Sequence, residues 1–337
     1  MSYDVEVATH AEPGAIEALD GVTVDGPYTV EVDDLAEALA AAVLAPRWLM
    51  RVSGGDAEAA RKLGRKIAKQ HGGAAYDPQE DVVYFPRGKP KRTPVQKPSK
   101  TSLVRLEWYV PDERWPDAPA ALVRTLARRC PEALPTRFGD IEPLQQRYDP
   151  ASPEAFTDFA RDGTTFWFSS RPSFGGHAFE PYRGPGHLGL DLDWRVVDAD
   201  ARWREAIAEL FASAADALGA IYGECFVEPG WMVSRNNRLS IAGGRKTRLP
   251  AFGRDGWTRP TEGPWLSWFG SDSRAAVVAA LGGGRPLRRG VRRPMKPELT
   301  EHAEGVCVRL GERPRKKLPP LPLPADLISP EGTPGRR

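Results

Sequence analysis

Cysteine is scarce in this chain of 337 residues, and the three cysteines lie far apart. Cys130, Cys225 and Cys307 are odd in number and form no C-x-x-C pair, so neither a disulfide framework nor a zinc clip is indicated. The chain also lacks any run of about 18 apolar residues, which a membrane-spanning helix requires. Its first residues show no basic stretch followed by an apolar one. These absences predict a cytoplasmic protein with reduced cysteines.

Recognisable catalytic motifs are also missing. None of the five histidines falls in an H-x-x-x-H or H-E-x-x-H pattern, and no G-x-S-x-G elbow occurs. The string GPGHLG at 184–189 has the glycine spacing of a dinucleotide fingerprint, but it precedes a predicted strand, where the fingerprint would open a helix. We interpret it as a glycine-rich hairpin turn. The sequence therefore predicts no cofactor.

Charge is abundant and unevenly distributed, and the length exceeds what one hydrophobic core usually organises. Residues 1–86 carry 15 acidic and 7 basic side chains, a net of −8. We predict a small acidic domain over 1–86, a basic proline-containing linker over 87–100 and a larger domain over 101–312. A proline-rich basic tail over 313–337 is predicted to be disordered.

The patterns of hydrophobicity predict an α+β protein. In the first domain, strands at 3–8 and 48–52 and two short strands around a turn at Asp25–Pro27 combine with helices at 35–44 and 56–71. This mixture predicts a small ferredoxin-like unit. The larger domain is predicted to be mixed and mainly antiparallel.

The clearest pattern runs from Ala201 to Leu239. Apolar residues recur at steps of three and four through Leu218, which predicts an amphipathic helix that needs a partner surface. A strand over 220–227 is predicted to follow and to end in a turn at Pro229–Gly230. This segment is expected to organise the core of the larger domain.

Four residues could support metal-dependent hydrolysis. Asp191 and Asp193 alternate along a predicted strand, and His177 and Glu180 lie close in sequence. Carboxylate and imidazole on adjacent strands can bind a divalent metal or share a proton. The same alternation is typical of a strand with leucines inward and aspartates in water.

Two sets of residues are candidates for contact with a partner protein. One is the set of acids Asp33, Asp34, Asp77, Glu80 and Asp81, which we predict to be exposed. The other is the tryptophans Trp257, Trp265 and Trp268, which lie near arginines, a composition common at interface hot spots. These tryptophans could equally cap the core.

A basic segment offers a different function. Residues 285–296, RPLRRGVRRPMK, hold five arginines and one lysine, enough to contact the phosphates of RNA or DNA. The candidate contacts are Arg288, Arg289, Arg292 and Arg293. A solvated loop that touches the acidic first domain is the alternative.

The string AARKLGRKIAKQHGGAAYDPQEDVVYF, with FWFSS, the helix at 202–218 and PWLSWFG, resembles the immunity proteins that accompany bacterial polymorphic toxins. The resemblance implies stoichiometric binding of a toxin domain and occlusion of its active site, without catalysis. It implies no particular binding residue. Our prediction is therefore a non-catalytic, cytoplasmic protein-binding partner of a toxin domain. A nucleic-acid-binding module and a metal-dependent hydrolase remain as alternatives.

Overall fold

A computed structural model of the chain places its residues in two compact units, Met1–Ser99 with Val233–Arg238, and Lys100–Met232 with Leu239–Arg337. Helices and antiparallel sheets occur together, so the protein is of the α+β class. The structure describes residues 3–16, 19–30, 35, 39, 42–43, 46–77, 80, 82–86, 91–92, 99–141, 144, 146–182, 184–233, 239–241, 251–253, 256–257, 263–282, 296–323 and 327–328.

The first unit contains a six-stranded sheet with the strand order β2-β3-β1-β4-β5-β6 and antiparallel neighbours. The strands are β1 (Tyr3–Thr9), β2 (Val22–Thr29), β3 (Trp48–Gly54), β4 (Gly73–Asp77), β5 (Val82–Tyr84) and β6 (Lys91–Arg92).

Helix α1 (Ala57–His71) connects β3 to β4, and β1 lies between these two strands. Because β3 and β4 are both antiparallel to β1, they are parallel to each other and form a split βαβ unit, the element of a ferredoxin-like fold. Asp56 caps the helix by accepting a hydrogen bond from the Glu58 N–H, and Gly72 ends it with a φ of 66°.

The predicted helix at 35–44 lies mostly outside the described residues, although Leu39 and Ala42 are helical. The predicted turn at Asp25–Pro27 is corrected. Residues Val22–Thr29 form one strand, and the pairing with β3 shifts register between Asp25 and Tyr28. A bulge thus absorbs the irregularity without ending the strand.

The second unit is built on an eleven-stranded sheet with the order β18-β19-β17-β13-β7-β12-β11-β10-β8-β9, and β14 pairs with β13. These strands are β7 (Ser99–Val110), β8 (Arg137–Gly139), β9 (Gln146–Arg147), β10 (Thr165–Phe168), β11 (Ser173–Phe179), β12 (Gly186–Asp193), β13 (Tyr222–Val233), β14 (Leu239–Ile241), β17 (Leu266–Gly270), β18 (Glu298–Glu301) and β19 (Gly305–Arg309). A separate two-stranded sheet pairs β15 (Phe252–Gly253) with β16 (Gly256–Trp257).

Five α-helices in the described part of the unit accompany this sheet: α2 (Ala118–Arg129), α3 (Glu154–Arg161), α4 (Trp194–Ala199), α5 (Ala201–Leu218) and α6 (Ser271–Leu281). The predicted amphipathic helix is α5, and it is capped by Asp200 and ended by Gly219 at a φ of 58°. Its apolar residues Ile207 and Leu210 are fully buried in the main core cluster. The prediction that this helix organises the core is confirmed.

Three expected boundaries differ from the structure. The predicted turn at Pro229–Gly230 lies within β13. The glycine pair Gly175–Gly176 also predicts a turn, but both residues lie within β11, where the φ of 135° at Gly175 accompanies a register shift. The alternation in HLGLDLDWRVV predicts a strand over 187–197, but the strand ends at Asp193, because this side chain accepts the N–H of Arg195 and caps α4.

The proline-rich end of the chain differs from a disordered tail in its described part. Leu318, Leu321 and Leu323 belong to the main core cluster, and the Gly263 N–H donates to the carbonyl of Leu318 over 2.9 Å. Leucines that alternate with prolines thus supply apolar anchors, which outweigh the solvation of the extended backbone.

Candidate functional site

One face of the large sheet carries a concentration of ionisable side chains. Along β7, Trp108 points toward the helices, since its indole N–H donates to the Phe211 carbonyl of α5 over 3.1 Å. Side chains alternate along a strand, so Arg105, Glu107 and Tyr109 project from the opposite face. This opposite face is the candidate site.

The antiparallel registers extend the face across neighbouring strands. The opposed pairs are Arg105 with Asp191, Glu107 with Gly189, Tyr109 with His187, Gly189 with His177, and His177 with Phe166.

Arg105 occupies the centre of an ion-pair network. Its guanidinium donates to Asp191 at 2.7 and 3.3 Å and to Glu228 at 2.9 Å, and it lies 5.7 Å from the ring centroid of Trp231. Burial lowers the pKa of Arg105, but the carboxylates of Asp191, Glu107 and Glu228 outweigh burial and raise it. Arg105 therefore stays charged.

Asp191 responds differently to the same network. Its side chain is only 13% exposed, and burial raises its pKa although Arg105 opposes this shift. The physical reason is that one guanidinium is shared among several carboxylates, so no single carboxylate is fully compensated. The alternative in which the aspartates of β12 face water is thus wrong for Asp191.

Two imidazoles form an aromatic layer beside this network. His187 stacks on Tyr109 with ring centroids 4.7 Å apart and planes inclined by 2°, and His177 meets His187 edge-on at 4.8 Å. His177 also stacks on Phe179 at 4.7 Å, and Phe179 lies 5.9 Å from His187, so the three rings contact one another. Burial, followed by the charges of His187 and Arg105, lowers the pKa of His177 well below its usual range. His177 is therefore neutral near pH 7.

Gly189 provides the space for His177. A Cβ at Gly189 would lie 2.2 Å from Cε1 and 2.5 Å from Nε2 of His177. The third glycine of GPGHLG thus lies within a strand, so the hairpin-turn interpretation is corrected at this position. Its function is to admit an imidazole against the backbone.

Glu107 connects the imidazole layer to Tyr109. The Tyr109 hydroxyl donates to Glu107 Oε2 over 3.2 Å and accepts the Ala251 N–H over 3.0 Å. His187 Nε2 lies 3.7 Å from the same carboxylate oxygen. Burial raises the pKa of Glu107, but His187 and then Arg105 outweigh it, so the net shift is downward.

The imidazole layer contains two buried ring nitrogens. Nε2 of His177 and Nε2 of His187 are buried and have no hydrogen-bond partner within the described part of the chain. Among the described residues, no group of three or more His, Cys, Asp or Glu side chains is placed to hold a metal ion.

The four candidates for a metal site are not brought together as one ligand set. Asp193 is 1% exposed and is engaged by Thr101 at 3.2 Å and Arg195 at 2.7 Å. Asp191 pairs with Arg105, and Glu180 is exposed beyond the end of β11. Only His177 belongs to the imidazole layer.

The expected exposure of the acids in the first unit is corrected for Asp77. This residue is fully buried and accepts hydrogen bonds from Tyr3 and from Arg61 Nε, the latter over 2.9 Å. Glu80 is half exposed and pairs with Arg61. Asp33, Asp34 and Asp81 lie outside the described residues.

The tryptophan candidates that the structure describes lie in the core and not at the surface. Trp265 and Trp268 are fully buried, and their indole N–H groups donate to the carbonyls of Gly311 and Ala220 over 3.0 and 2.8 Å. The prediction that these two tryptophans contact a partner protein is corrected. Their rings are buried and their indole N–H groups are hydrogen-bonded inside the unit. The side chain of Trp257 lies outside the described residues.

The basic candidates cannot be placed on the fold. Arg288, Arg289, Arg292 and Arg293 lie outside the described residues, as does most of 285–296. Nucleic-acid binding by this segment stays a prediction.

Exposed apolar side chains occur on β10 and just beyond the ends of β8 and β11. We name this set the aromatic edge and define it as Ile141, Phe166, Phe179 and Tyr182. Ile141, Phe166 and Tyr182 are 52%, 39% and 80% exposed, and they are the exposed large hydrophobic residues of the described chain. Phe166 meets Phe179 edge-on at 5.7 Å, and Phe166 pairs with Gly139, two residues before Ile141.

Sequence reasoning missed Arg105, Glu107 and the aromatic edge. The string LVRLEWYV is predominantly apolar, so it predicts a strand and singles out no site. The available signal was the pair of opposite charges at an i, i+2 spacing within that string, which places both on one face of a strand. The exposure of Phe166 has no counterpart in the sequence pattern.

No protein-family model matches the chain, and no curated protein matches it. Among solved structures, it is similar to the Pseudomonas aeruginosa T6SS protein PA0821, with 13% sequence identity over 69% of this chain and 74% of that chain. The TM-score is 0.39, which is too low to carry an argument about either fold or function. None of the helices in the described part of the chain has the length and apolar character needed to cross a bilayer.

Proposed function

We propose that this protein is a non-catalytic binding partner of the immunity type, which binds a toxin domain stoichiometrically and occludes its active site. The observation that carries the proposal is the aromatic edge. Large apolar side chains that are grouped and exposed commonly mark protein-protein interaction sites, and aromatic residues are enriched there. The resemblance of several sequence strings to immunity proteins points to the same function.

The packing of Phe179 within the aromatic edge also supports this proposal. Phe179 is held between Phe166 at 5.7 Å and the buried ring of His177 at 4.7 Å. Side chains that are already ordered lose less conformational entropy on binding. The buried network then has a supporting role, since it holds the face on which these rings are presented.

The test uses the protein encoded by the gene next to that of this chain. We expect a toxin-like neighbour whose toxicity is relieved by co-expression and which forms a 1:1 complex in sedimentation and calorimetry. Replacing Phe166→Thr together with Tyr182→Ala should weaken the complex at least about tenfold, as for central aromatic contacts. Arg202→Ala is the matched control, because this side chain is 91% exposed on α5.

Two results would contradict the proposal. One is that co-expression leaves the toxicity of the neighbour unchanged. The other is a complex whose affinity is the same for the wild type and the Phe166→Thr, Tyr182→Ala variant.

A further inference from the structure

We infer that the exposed face of α1 binds an acidic segment of a partner protein, whose carboxylates pair with the side chains of Lys62, Arg65 and Lys69. We name these three residues the cationic stripe. The inference rests on the proposed function for the kind of partner, a protein, and it adds a further surface and the charge that the partner must present to it.

The cationic stripe reflects a segregation of charge along the chain. Residues 1–86 carry 15 acidic and only 7 basic side chains. Five of these seven basic residues lie on α1, namely Arg61, Lys62, Arg65, Lys66 and Lys69. Positive charge is thus concentrated on one helix of an otherwise acidic segment.

The geometry of α1 presents the cationic stripe to solvent. Successive residues of an α-helix are rotated by about 100°, so the three side chains project within an arc of about 60° along about 10 Å of helix axis. Leu63 and Ile67 are buried in the core of the unit, and a Cβ at Gly64 would lie 2.9 Å from Cγ1 of Val5 on the sheet. The cationic stripe lies away from this packed face, and all three of its residues are exposed.

The carboxylates near α1 do not neutralise the cationic stripe. Arg61 engages Asp77 at 2.9 Å and also pairs with Glu80. The three residues of the stripe form no ion pair and no side-chain hydrogen bond within the described part of the chain. Arg65 lies over the ring of Tyr84, with its guanidinium carbon 5.7 Å from the centroid, which leaves its charge unpaired. Each residue of the stripe is therefore available to a carboxylate from outside.

The cationic stripe works against the stability of its own helix. Like charges three or four residues apart on a helix repel each other. Arg65 is three residues from Lys62 and four from Lys69, so it is repelled from both sides. Residues that break a local rule without compensation inside the fold commonly serve a function.

Charge selects a protein segment as the occupant. A nucleic acid or an anionic membrane presents negative charge well beyond the stripe's length of about 10 Å, and it would meet the net charge of −8 on residues 1–86. Exposed Glu58, one helical turn before Lys62, already reverses the sign of the charge at one end of the stripe. A protein segment can match the stripe with carboxylates and place neutral or basic residues outside it, which is the complementarity that specific interfaces show.

The test uses a synthetic helical peptide whose glutamates recur at steps of three and four along one face, and a matched peptide with glutamine at the same positions. At low salt, we expect the glutamate peptide to bind the full chain with a dissociation constant of about 1 mM or tighter. It should shift the side-chain resonances of Lys62, Arg65 and Lys69 and the backbone amides of α1. About 0.5 M salt should weaken binding severalfold, because exposed charges are screened.

Charge-neutral variants locate the site. Binding reported by the amides of α1 should weaken about tenfold in a triple variant of the stripe, because each exposed ion pair contributes a factor of about two to five. This variant carries Lys62→Gln, Arg65→Gln and Lys69→Gln. The matched control removes the same charge from exposed residues of the second unit and should leave the affinity unchanged, with the substitutions Arg313→Gln, Arg315→Gln and Lys317→Gln.

A denaturant titration separates binding from a structural role. The triple variant of the stripe should unfold at the same denaturant concentration as the wild type or at a higher one, because repulsion between like charges is relieved. A lower midpoint would mean that the stripe supports the fold and would overturn the inference.

Four binding results would also overturn it. They are equal binding of the glutamine peptide, absence of binding at about 10 mM glutamate peptide, and equal loss of affinity in both triple variants. The fourth is tighter binding of a random DNA duplex or of phosphatidylserine vesicles through α1. Self-association of the chain that is lost in the triple variant of the stripe would assign the surface to a second copy, with the same consequence.

The outcomes distinguish this inference from the proposed function. If the toxin-like neighbour binds while the glutamate peptide does not, the inference fails and the proposed function stands. If the glutamate peptide binds through the cationic stripe and the neighbour does not bind, the proposed function fails.

Discussion

At the scale of single residues, Gly189 shows how a missing side chain decides where a buried imidazole can lie. Its Cα faces the ring of His177, and an added Cβ would come within 2.2 Å of that ring. The close approach lets His177 contact both Phe179 and His187, so the packing of Phe179 in the aromatic edge depends on this glycine.

We predict that Gly189→Ala lowers the free energy of unfolding of the second unit by about 1–3 kcal/mol, since the extra methyl overpacks a filled space. Tryptophan fluorescence in a denaturant titration measures this change, because nine of the ten tryptophans lie between Trp108 and Trp268. Gly184→Ala is the control, as a Cβ there meets nothing within 4 Å. Equal stability of both variants would contradict the prediction.

A second residue-scale prediction concerns pH. The pKa of His177 is lower in the folded protein than in the unfolded chain, so the unfolded chain binds the proton first as pH falls. The stability that His177 contributes is complete above the ordinary pKa of about 6.5. It is lost at lower pH, by at most about 1.4 kcal/mol per pH unit.

The variant His177→Phe keeps a ring on Gly189 but cannot take up a proton. We expect its denaturation midpoint to vary less than that of the wild type between about pH 6.5 and 5. The lowered pKa of Glu107 acts with the same sign, but only below its ordinary range near about 4.3. Identical pH profiles for the two proteins would show that His177 is not the titrating group.

At the scale of elements, the agreement between sequence and structure follows from local signals. Helix α1 is capped by Asp56 and Gly72, and helix α5 is capped by Asp200 and Gly219. Each cap lies directly beside its helix in the sequence. The sequence also predicted the strand LVRLEWYV, which forms most of β7. It failed for 194–197, where the cap of Asp193 outweighs the alternation of the preceding strand.

The proline-rich segment after β19 gives an element-scale prediction. Leu318 is 4% exposed in the main core, whereas its neighbour Lys317 is exposed. We expect Leu318→Ala to lower the free energy of unfolding by about 2–5 kcal/mol, as for other buried leucines. Lys317→Ala should change it by less than about 0.5 kcal/mol. A small effect of both substitutions in the same fluorescence titration would mean that this segment does not anchor the core.

At the scale of the whole molecule, the α+β class and the antiparallel character of the second sheet follow from the alternation and spacing of apolar residues. The boundaries at 1–86, 87–100 and 101–312 stay predictions, and the strand order brings a qualification, since Lys91–Arg92 pair with β5 in the first sheet. The basic composition of 87–100 predicts a linker, but backbone hydrogen bonds join Lys91–Arg92 to the first sheet. Backbone pairing of this kind does not depend on the charge of the side chains.

The sequence by itself determined helices α1 and α5 and the apolar stripe of α5, because these depend on neighbours within one or two turns of chain. Only the tertiary structure decided which polar residues meet. Arg105, His177 and Asp191 come from three strands, and their proximity depends on strand order and register, which are set by contacts distant in sequence. For the same reason, only the fold could show that Asp77 and Trp268 are buried while Phe166 and Tyr182 are exposed.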